Sequence, residues 1–461
     1  MTPRLFISRD AGALALGAED VERAIIAAER SRGLKIEIVR TGSRGLFWLE
    51  PMIEVATPAG RIAYGPIRAA DVEALFDAGF LDGGAHDLRL GRPEDIPFLK
   101  RQNRRVFARS GMIDRLSVRD YQAHDGFRGI EKAIAVGPAA IVDAIGRAGV
   151  FGIATPHPPT VCTVNERGSG TFADRMLVEG DPFALIEGMT IAGIATGATK
   201  GIVHFRPEFR HAREILRRAI EIARSGNVLG TKILGSIYDF DLEFRVGPPA
   251  PRNRADPTTS IADAISFATV ALILADNRDP GMAIQLSGNL KYRGLFETAS
   301  CLTLGELIDG IGGGTANGRP LRVVQVGGPA GPYWPRALFD REILAPQHGS
   351  IRQTSIVAFD DTVDMARQAR FAMAFGAREC SDTCRAHAAR GVEMIDRIIH
   401  GDRPVENAAA LTDLCAVMRS DSVCTCGDFI SNPVTSALNH FPEDFGIAPG
   451  DVMPLVTEQP T

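Results

Sequence analysis

The sequence predicts a multidomain α/β protein that ends in a helical bundle, and three observations carry this. A β-α-β pattern opens the chain, strands alternate with amphipathic helices from about 131 to 275, and apolar residues recur at three- and four-residue spacing through 360–443. At 461 residues the chain has room for two to four compact units, each able to bury its own core.

Taken in order, PRLFIS (3–8) and KIEIVR (35–40) are short, apolar and partly β-branched, and they flank the helical run EDVERAIIAAERSRG, which ends at Gly33. Two more strands, Met52–Ala56 and Arg61–Tyr64, are joined by the turn Pro58-Ala59-Gly60 and followed by the helix AADVEALFDAGF, giving a small α/β unit over 1–81. Residues 82–130 are polar and read as a helical linker, with Lys100, Arg101, Arg104 and Arg105 as a solvated basic face. From 131 to 275 helices at 138–148, 183–196, 209–225 and 259–275 alternate with strands at 160–165, 201–206 and 240–246, the pattern of a mainly parallel sheet. Residues 276–350 hold short strands at AIQLSG, LFETA and LRVVQVGG around one helix, LGELIDGIG, which fits a β-grasp unit. Residues 351–461 form the bundle.

Composition narrows the function classes. With 51 basic and 56 acidic side chains the net charge is −5, which gives no reason to expect nucleic acid as a partner. No uncharged stretch reaches the roughly 20 residues that cross a bilayer; the longest, 148–165, has 18 and holds Pro156, Pro158 and Pro159. The start MTPRLFISRDAG sets Arg4, Arg9 and Asp10 where a signal peptide needs an apolar core, so a cytoplasmic location is expected. Cysteine is unevenly placed: none precedes Cys162, and Cys380, Cys384, Cys415, Cys424 and Cys426 crowd the bundle. In a cytoplasmic chain that points to metal binding or simple burial rather than disulfides.

Specific strings then carry a resemblance. TGSRGLFWLEP (41–51) with AYGPIRAADV (63–72), ERGSGTFADR (166–175) with DPFALIEGMTIAGIATGATKG (181–201), LSGNLKYRGL (286–295) with VQVGGPAG (324–331), and SNPV (431–434) resemble the β (diaphorase) subunit of NAD-dependent formate dehydrogenases. That family is similar to the flavoprotein subunit of respiratory complex I with a thioredoxin-like domain in front. The resemblance runs over about 3–445 and implies a thioredoxin-like unit, a Rossmann-like α/β sheet domain, an SLBB-like β-grasp unit and a cluster-bearing bundle. Where iron–sulfur relatives of the first unit have two cluster cysteines, this chain has Ser43 and Phe47.

The family's cofactors are FMN, NAD and a [4Fe–4S] cluster, and the match is uneven toward each. A glycine-rich loop with a lysine holds the FMN phosphate in the family, because glycines let backbone amides point at phosphate oxygens. Here AIGRAGVFGIATPHPPTVC keeps only Gly146, Arg147 and Gly149, a fragment that also reads as a helix end closed by glycine. Glu166 is the retained acidic position of the next string, while the paired-glutamate motif is replaced by PPAPRNRADPTTSIADAISFATVAL. These losses predict an eroded FMN and NADH site. The family's four cluster positions correspond to Arg378, Ser381, Cys384 and Cys424, so two ligands stay in register. Cys380 and Cys426 lie close by and complete two pairs. Four thiolates suit a [4Fe–4S] cluster or tetrahedral zinc, and buried metal-free thiols are the third alternative.

The resemblance implies a component of an oxidoreductase complex, partnered by a larger catalytic subunit of the molybdenum or tungsten type and by a small iron–sulfur subunit. Three readings follow: an electron-transfer or scaffold subunit with an eroded flavin site, an active NAD-reducing diaphorase working with formate oxidation, and a metal-free interaction module.

Overall fold

A computed structural model of the chain describes residues 2–150, 160–166, 168–247, 261–276, 281–299, 301–343, 352–380, 382–420 and 425–448, with backbone alone at 382–383 and 425–428. The N-terminal unit is a five-stranded sheet of β1 (Arg4–Ser8), β2 (Glu37–Thr41), β3 (Ile53–Thr57), β4 (Gly60–Tyr64) and β5 (Arg89–Gly91), in the order β2-β1-β3-β4-β5. β1 and β2 run parallel and the other neighbours antiparallel, which is the thioredoxin-like arrangement. Helices α1 (Ala11–Ala15) and α2 (Ala18–Ser31) make the crossover, and α3 (Val72–Asp77) follows β4. α2 turns Val21, Ile25 and Ala28, spaced three to four apart, onto Leu5, Ile7 and Val55 of the sheet.

Helices α4 (Pro97–Lys100), α5 (Val118–Ala123) and α6 (Arg128–Val136) follow. The segment 82–130, expected as a polar linker, is packed structure: Val106, Phe107, Ile113, Tyr121 and Phe127 are buried in the central core. Its basic residues serve the interior as well. Arg104 donates to the carbonyls of Arg44 at 2.9 Å and Phe107 at 2.8 Å, and Arg101 to that of Gly310. Lys100 and Arg101 are exposed as expected, whereas Arg104 aims its guanidinium group at backbone carbonyls, which composition alone does not show.

After α7 (Pro138–Arg147), the central sheet contains β6 (Thr160–Val164), β7 (Lys200–Phe205), β8 (Asp241–Val246) and β9 (Ile261–Ala262), all parallel, in the order β8-β7-β6-β9. Its helices are α8 (Ala173–Gly180), α9 (Pro182–Thr196), α10 (Arg210–Ser225) and α11 (Ala264–Asp276). α9 is buried along its whole length and α10 along one face, as their apolar patterns require. Gly188 is what lets α9 meet α11, since a Cβ there would lie 1.8 Å from the Phe267 carbonyl oxygen.

The third unit is a mixed sheet of β10 (Met282–Gly288), β11 (Gly294–Thr298), β12 (Leu321–Val326), β13 (Tyr333–Pro335) and β14 (Gln353–Asp360), ordered β11-β10-β14-β12-β13. The first and last strands are parallel and central, the β-grasp arrangement. β14, assigned by sequence to the C-terminal part, is therefore the middle strand of this sheet, and the boundary expected at 350 falls inside the unit. An apolar strand does not reveal its partners by its own pattern.

The bundle consists of α12 (Met365–Glu379), α13 (Asp382–Ile399), α14 (Pro404–Ser420) and α15 (Thr425–His440). It is tied to the β-grasp sheet by Arg322, which pairs with Asp444 at 2.9 Å, and by the Tyr333 amide, which donates to Ser436 Oγ at 2.8 Å. Among the described residues, no helix is long and apolar enough to cross a membrane.

Candidate functional site

In a parallel sheet ligands sit beyond the strand C-termini, at the point where successive connections change direction. Here the chain proceeds β6-β7-β8 to one side and places β9 on the other, so the crevice lies between β6 and β9. It opens on acids. Glu166, just past β6, has φ +56° and a side chain only 5% exposed; its carboxylate accepts the Arg175 amide at 2.7 Å and lies 3.7 Å from the Arg175 guanidinium. That carboxylate occupies the first turn of α8, where a phosphate would otherwise find free amides. Burial pushes Glu166 up to about 7, against the pull of Arg175.

Asp174 accepts the Ile265 amide at 3.1 Å, and burial, then the neighbouring Asp263, drives its carboxyl upward. Asp263 accepts the Ser266 amide at 2.8 Å and the Gln353 side-chain amide at 2.9 Å, and Gln353 in turn accepts the Thr171 hydroxyl. Gln353 belongs to β14, so the β-grasp unit reaches into the crevice and closes a Thr171-Gln353-Asp263 chain. Asp263 and Gln353 escape sequence reasoning. The signal available for the first was an acid just before a helical run, which is a cap position.

The other residues proposed for flavin contact sit elsewhere. Gly146 and Arg147 end α7; Gly149, at φ +59°, closes the helix by donating its amide to the Gly146 carbonyl at 3.1 Å. Arg147 is largely exposed and pairs with Asp143 at 3.0 Å. Residues 151–159, which follow, lie outside the described residues, and among those described no hydrogen bond or ion pair joins Glu166 to this helix end. A cleft of about 320 Å³ beside the β-grasp helix is lined by Arg101, Phe296, Thr298, Leu302, Glu306, Gly310 and Ile311, none of them a flavin candidate. The described residues put a carboxylate, not a lysine, at the α8 start and close the α7 end by glycine; the rest of the loop that the resemblance assigns to the FMN phosphate, 151–159, lies outside the described residues.

Ser43 and Phe47 also have other work. Ser43 Oγ donates to Glu50 at 2.6 Å, and Phe47 packs 6.1 Å from Phe172, ring centre to ring centre.

The cysteines are positioned by the antiparallel packing of three helices. Gly376 of α12 meets Ile430 of α15 and Ala388 of α13, where a Cβ would lie 2.8 Å from Ile430 Cγ1 and 3.3 Å from Ala388 Cβ. The direction of each pair is fixed at the other end: the Met365 amide donates to Asp444 at 2.7 Å, and Arg370 pairs with Asp396. One helical turn beyond the Gly376 contact, roughly 6 Å along each axis, come Cys380, Cys384 and the backbone of Cys426. All three positions thus share one end of the bundle. Cys380 caps α12 with extended backbone, its amide bonded to Gly376 at 3.0 Å, and its carbonyl accepts Arg385 at 3.2 Å. Cys380 and Cys384 are each 3% exposed. Cys424 lies outside the described residues, and among those described no three His, Cys, Asp or Glu side chains converge as for a metal ion. Cys415 is different: it is buried among Leu411, Met418 and Ile430 in the bundle core, and burial pushes its thiol up to about 12. Two buried thiols at a helix junction, with a third position at the same level, fit a thiolate-held cluster.

Residues 365–447 match the family model for the NADH-ubiquinone oxidoreductase-F iron-sulfur binding region, which supports a [4Fe–4S] cluster in this part of the chain. The chain is 28% identical to the NADP-reducing hydrogenase subunit HndC of Solidesulfovibrio fructosivorans, over 75% of this chain and 83% of that one. It is 24% identical to the F subunit of the NADH-quinone oxidoreductase of Escherichia coli (strain K12), over 71% and 88%. Against a crystal structure of an NAD⁺-reducing [NiFe]-hydrogenase the TM-score is 0.60 at 18% identity, covering 99% of this chain and 86% of that chain, a likeness of fold. The chain is thus similar to F-type subunits of NADH-quinone oxidoreductases and to subunits of NAD(P)-reducing hydrogenases.

Proposed function

We propose that this chain is an electron-transfer or scaffold subunit of a multi-subunit NAD-linked oxidoreductase, with Cys380, Cys384, Cys424 and Cys426 holding a [4Fe–4S] cluster and with the flavin and nicotinamide site lost. The observation that carries the reading is the Gly376 contact, which levels Cys380, Cys384 and Cys426 at one end of the bundle inside the matched iron–sulfur region. A cluster supplies one-electron transfer; the chain's part is to present thiolates and keep solvent from them. Cys384 and the backbone of Cys426 both fall in the first turn of a helix, level with the α12 cap that carries Cys380. The missing phosphate-loop lysine and paired glutamates of the sequence support the loss of FMN.

Within this class we assign the chain to the formate dehydrogenase β type, cytoplasmic and partnered by a molybdenum or tungsten subunit, on the strings that frame its thioredoxin-like and β-grasp units. Protein isolated anaerobically with its partners tests both levels. Four irons and labile sulfides per chain, lost in Cys384→Ser and Cys424→Ser but kept in Cys415→Ser, are the expected result. Zinc in place of iron, or equal loss in all three variants, overturns the ligand set. An active diaphorase is the second reading, favoured by relatives named for NAD(P) reduction that align over most of this chain. A stoichiometric, NADH-reducible flavin after reconstitution with FMN would decide for it.

A further inference from the structure

The seam between the thioredoxin-like unit and α8 buries more carboxylate than it has donors to serve. Asp10, just past β1, is 1% exposed, and one of its oxygens caps α1 by accepting the Ala13 amide at 2.8 Å. Glu179, in the last turn of α8, is also 1% exposed and accepts the Ala11 amide at 2.6 Å. Both carboxylates thus bind the same turn, one from within and one from across the seam. The second oxygen of each, Asp10 Oδ2 and Glu179 Oε1, is buried without a well-formed hydrogen bond among the described residues, the Ser43 amide being the other donor that faces Asp10.

The surrounding charges are engaged elsewhere. Arg115 donates to the carbonyls of Arg9 at 2.8 Å and Glu179 at 3.3 Å. Arg9 pairs with Glu22 at 3.0 Å, and Arg175 faces Glu166. His211 of α10 lies 2.8 Å from the Arg9 carbonyl, and burial holds its pKa down, so it faces the seam as a neutral N–H donor. Glu50, the third acid here, accepts Ser43 Oγ and the Met52 amide. Burial, then the charge of Asp10, pushes it up to about 8, so it supplies a part of the pH dependence that Glu179→Gln leaves in place. Two buried carboxylates bound to the same turn are costly as two anions and complementary when one carries a proton, because a carboxylic acid donates where a carboxylate only accepts.

We propose that Asp10 and Glu179 form an acid–carboxylate pair that binds one proton and latches the thioredoxin-like unit to the central α/β unit. Burial, then the charge of Asp10, pushes Glu179 up to about 8, in agreement with the geometry. Because this folded pKa is raised, the latch contributes fully below the unfolded value of 4.5 and is lost as pH rises through about 8.

The test is thermal unfolding of the full chain and of Glu179→Gln from about pH 6 to about pH 9.5. The glutamine amide accepts from Ala11 and donates to Asp10 without a titrating proton, so the variant is expected to melt above wild type at alkaline pH, with a shallower pH slope. A variant that melts lower throughout with the wild-type slope overturns the proposal. Hydrogen exchange on the wild-type chain needs no variant: protection of segments 8–15 and 176–181 is expected to fall between about pH 7 and about pH 9, after correction for intrinsic exchange, and constant protection overturns the proposal.

Discussion

Gly376→Val probes the three-helix contact on which the cluster reading depends. A Cβ at 376 would lie 2.8 Å from Ile430 Cγ1 and 3.3 Å from Ala388 Cβ, on two different helices. Carbon atoms pack at about 3.5–4.0 Å, so α12 must retreat by up to about 1 Å from α15. Overpacking of this kind costs about 1–3 kcal/mol, of which the better helix propensity of valine over glycine recovers only about a few tenths. Metal content should respond more sharply than stability, because thiolate–metal distances tolerate only about 0.2 Å and the ligands lie one turn from the disturbance. The assay is iron per chain after anaerobic isolation, beside the melting temperature. Gly391→Ala is the control, since a Cβ there meets only the flexible thioether of Met373 at 2.8 Å. Wild-type iron and wild-type melting in Gly376→Val would refute the argument that these helices meet as described and that their meeting sets the ligand geometry.

The remaining predictions concern the crevice and the core. Gln353→Leu removes one hydrogen bond from Thr171, which keeps Ser169 Oγ at 3.0 Å, and leaves Asp263 Oδ2 without its donor; it is expected to lower stability by about 1–3 kcal/mol, read by chemical denaturation. Glu166, raised from 4.5 to about 7, contributes fully below 4.5 and loses that contribution as pH rises through about 7; Glu166→Gln should flatten a pH dependence on the order of 3 kcal/mol while keeping an acceptor for the Arg175 amide. Cys415→Ser places a hydroxyl in the bundle core at a cost of about 1–3 kcal/mol, with iron content unchanged. Adding FMN to the chain should leave flavin fluorescence unquenched, and quenching at one equivalent would count against the eroded site.

Much of the architecture is legible because periodicity is local. The βαβ opening, the alternation after 138 and the apolar spacing of α12 and α13 each record which face is covered. What escapes is long-range. Nothing near Gln353 says that β14 inserts beside β10, some 70 residues earlier, or that the side chain then bonds Asp263. The linker reading of 82–130 fails for a related reason: its arginines and glycines look solvated, yet Arg109 pairs with the buried Asp181 at 2.7 Å and stacks on Tyr121. A buried charge is recognised by its partner, and the partner here lies 72 residues away.

The shifted cysteine spacing follows the same logic at the candidate cluster. Arg378 and Ser381 stand where the resemblance would put two ligands, and Arg378 lies in the last turn of α12. A thiol at 378 would project from a rigid helix, whereas Cys380 sits at its cap, where the backbone has already turned extended with ψ 165°. A cap can re-aim a side chain more freely than a helical turn. The position lost there is matched at the opposing end, where Cys426 adds a thiol in the first turn of α15. Two changes on antiparallel helices, both within a turn of the Gly376 contact, thus keep the number of thiols at that end while moving one pair toward the α12 cap and the other toward the α15 start. If this exchange is compensatory, Cys380→Ser and Cys426→Ser each lose iron as completely as Cys384→Ser. Restoring the family spacing with Ser381→Cys should rescue iron in Cys380→Ser, and failure of that rescue would show that the two ends were not exchanged one for the other.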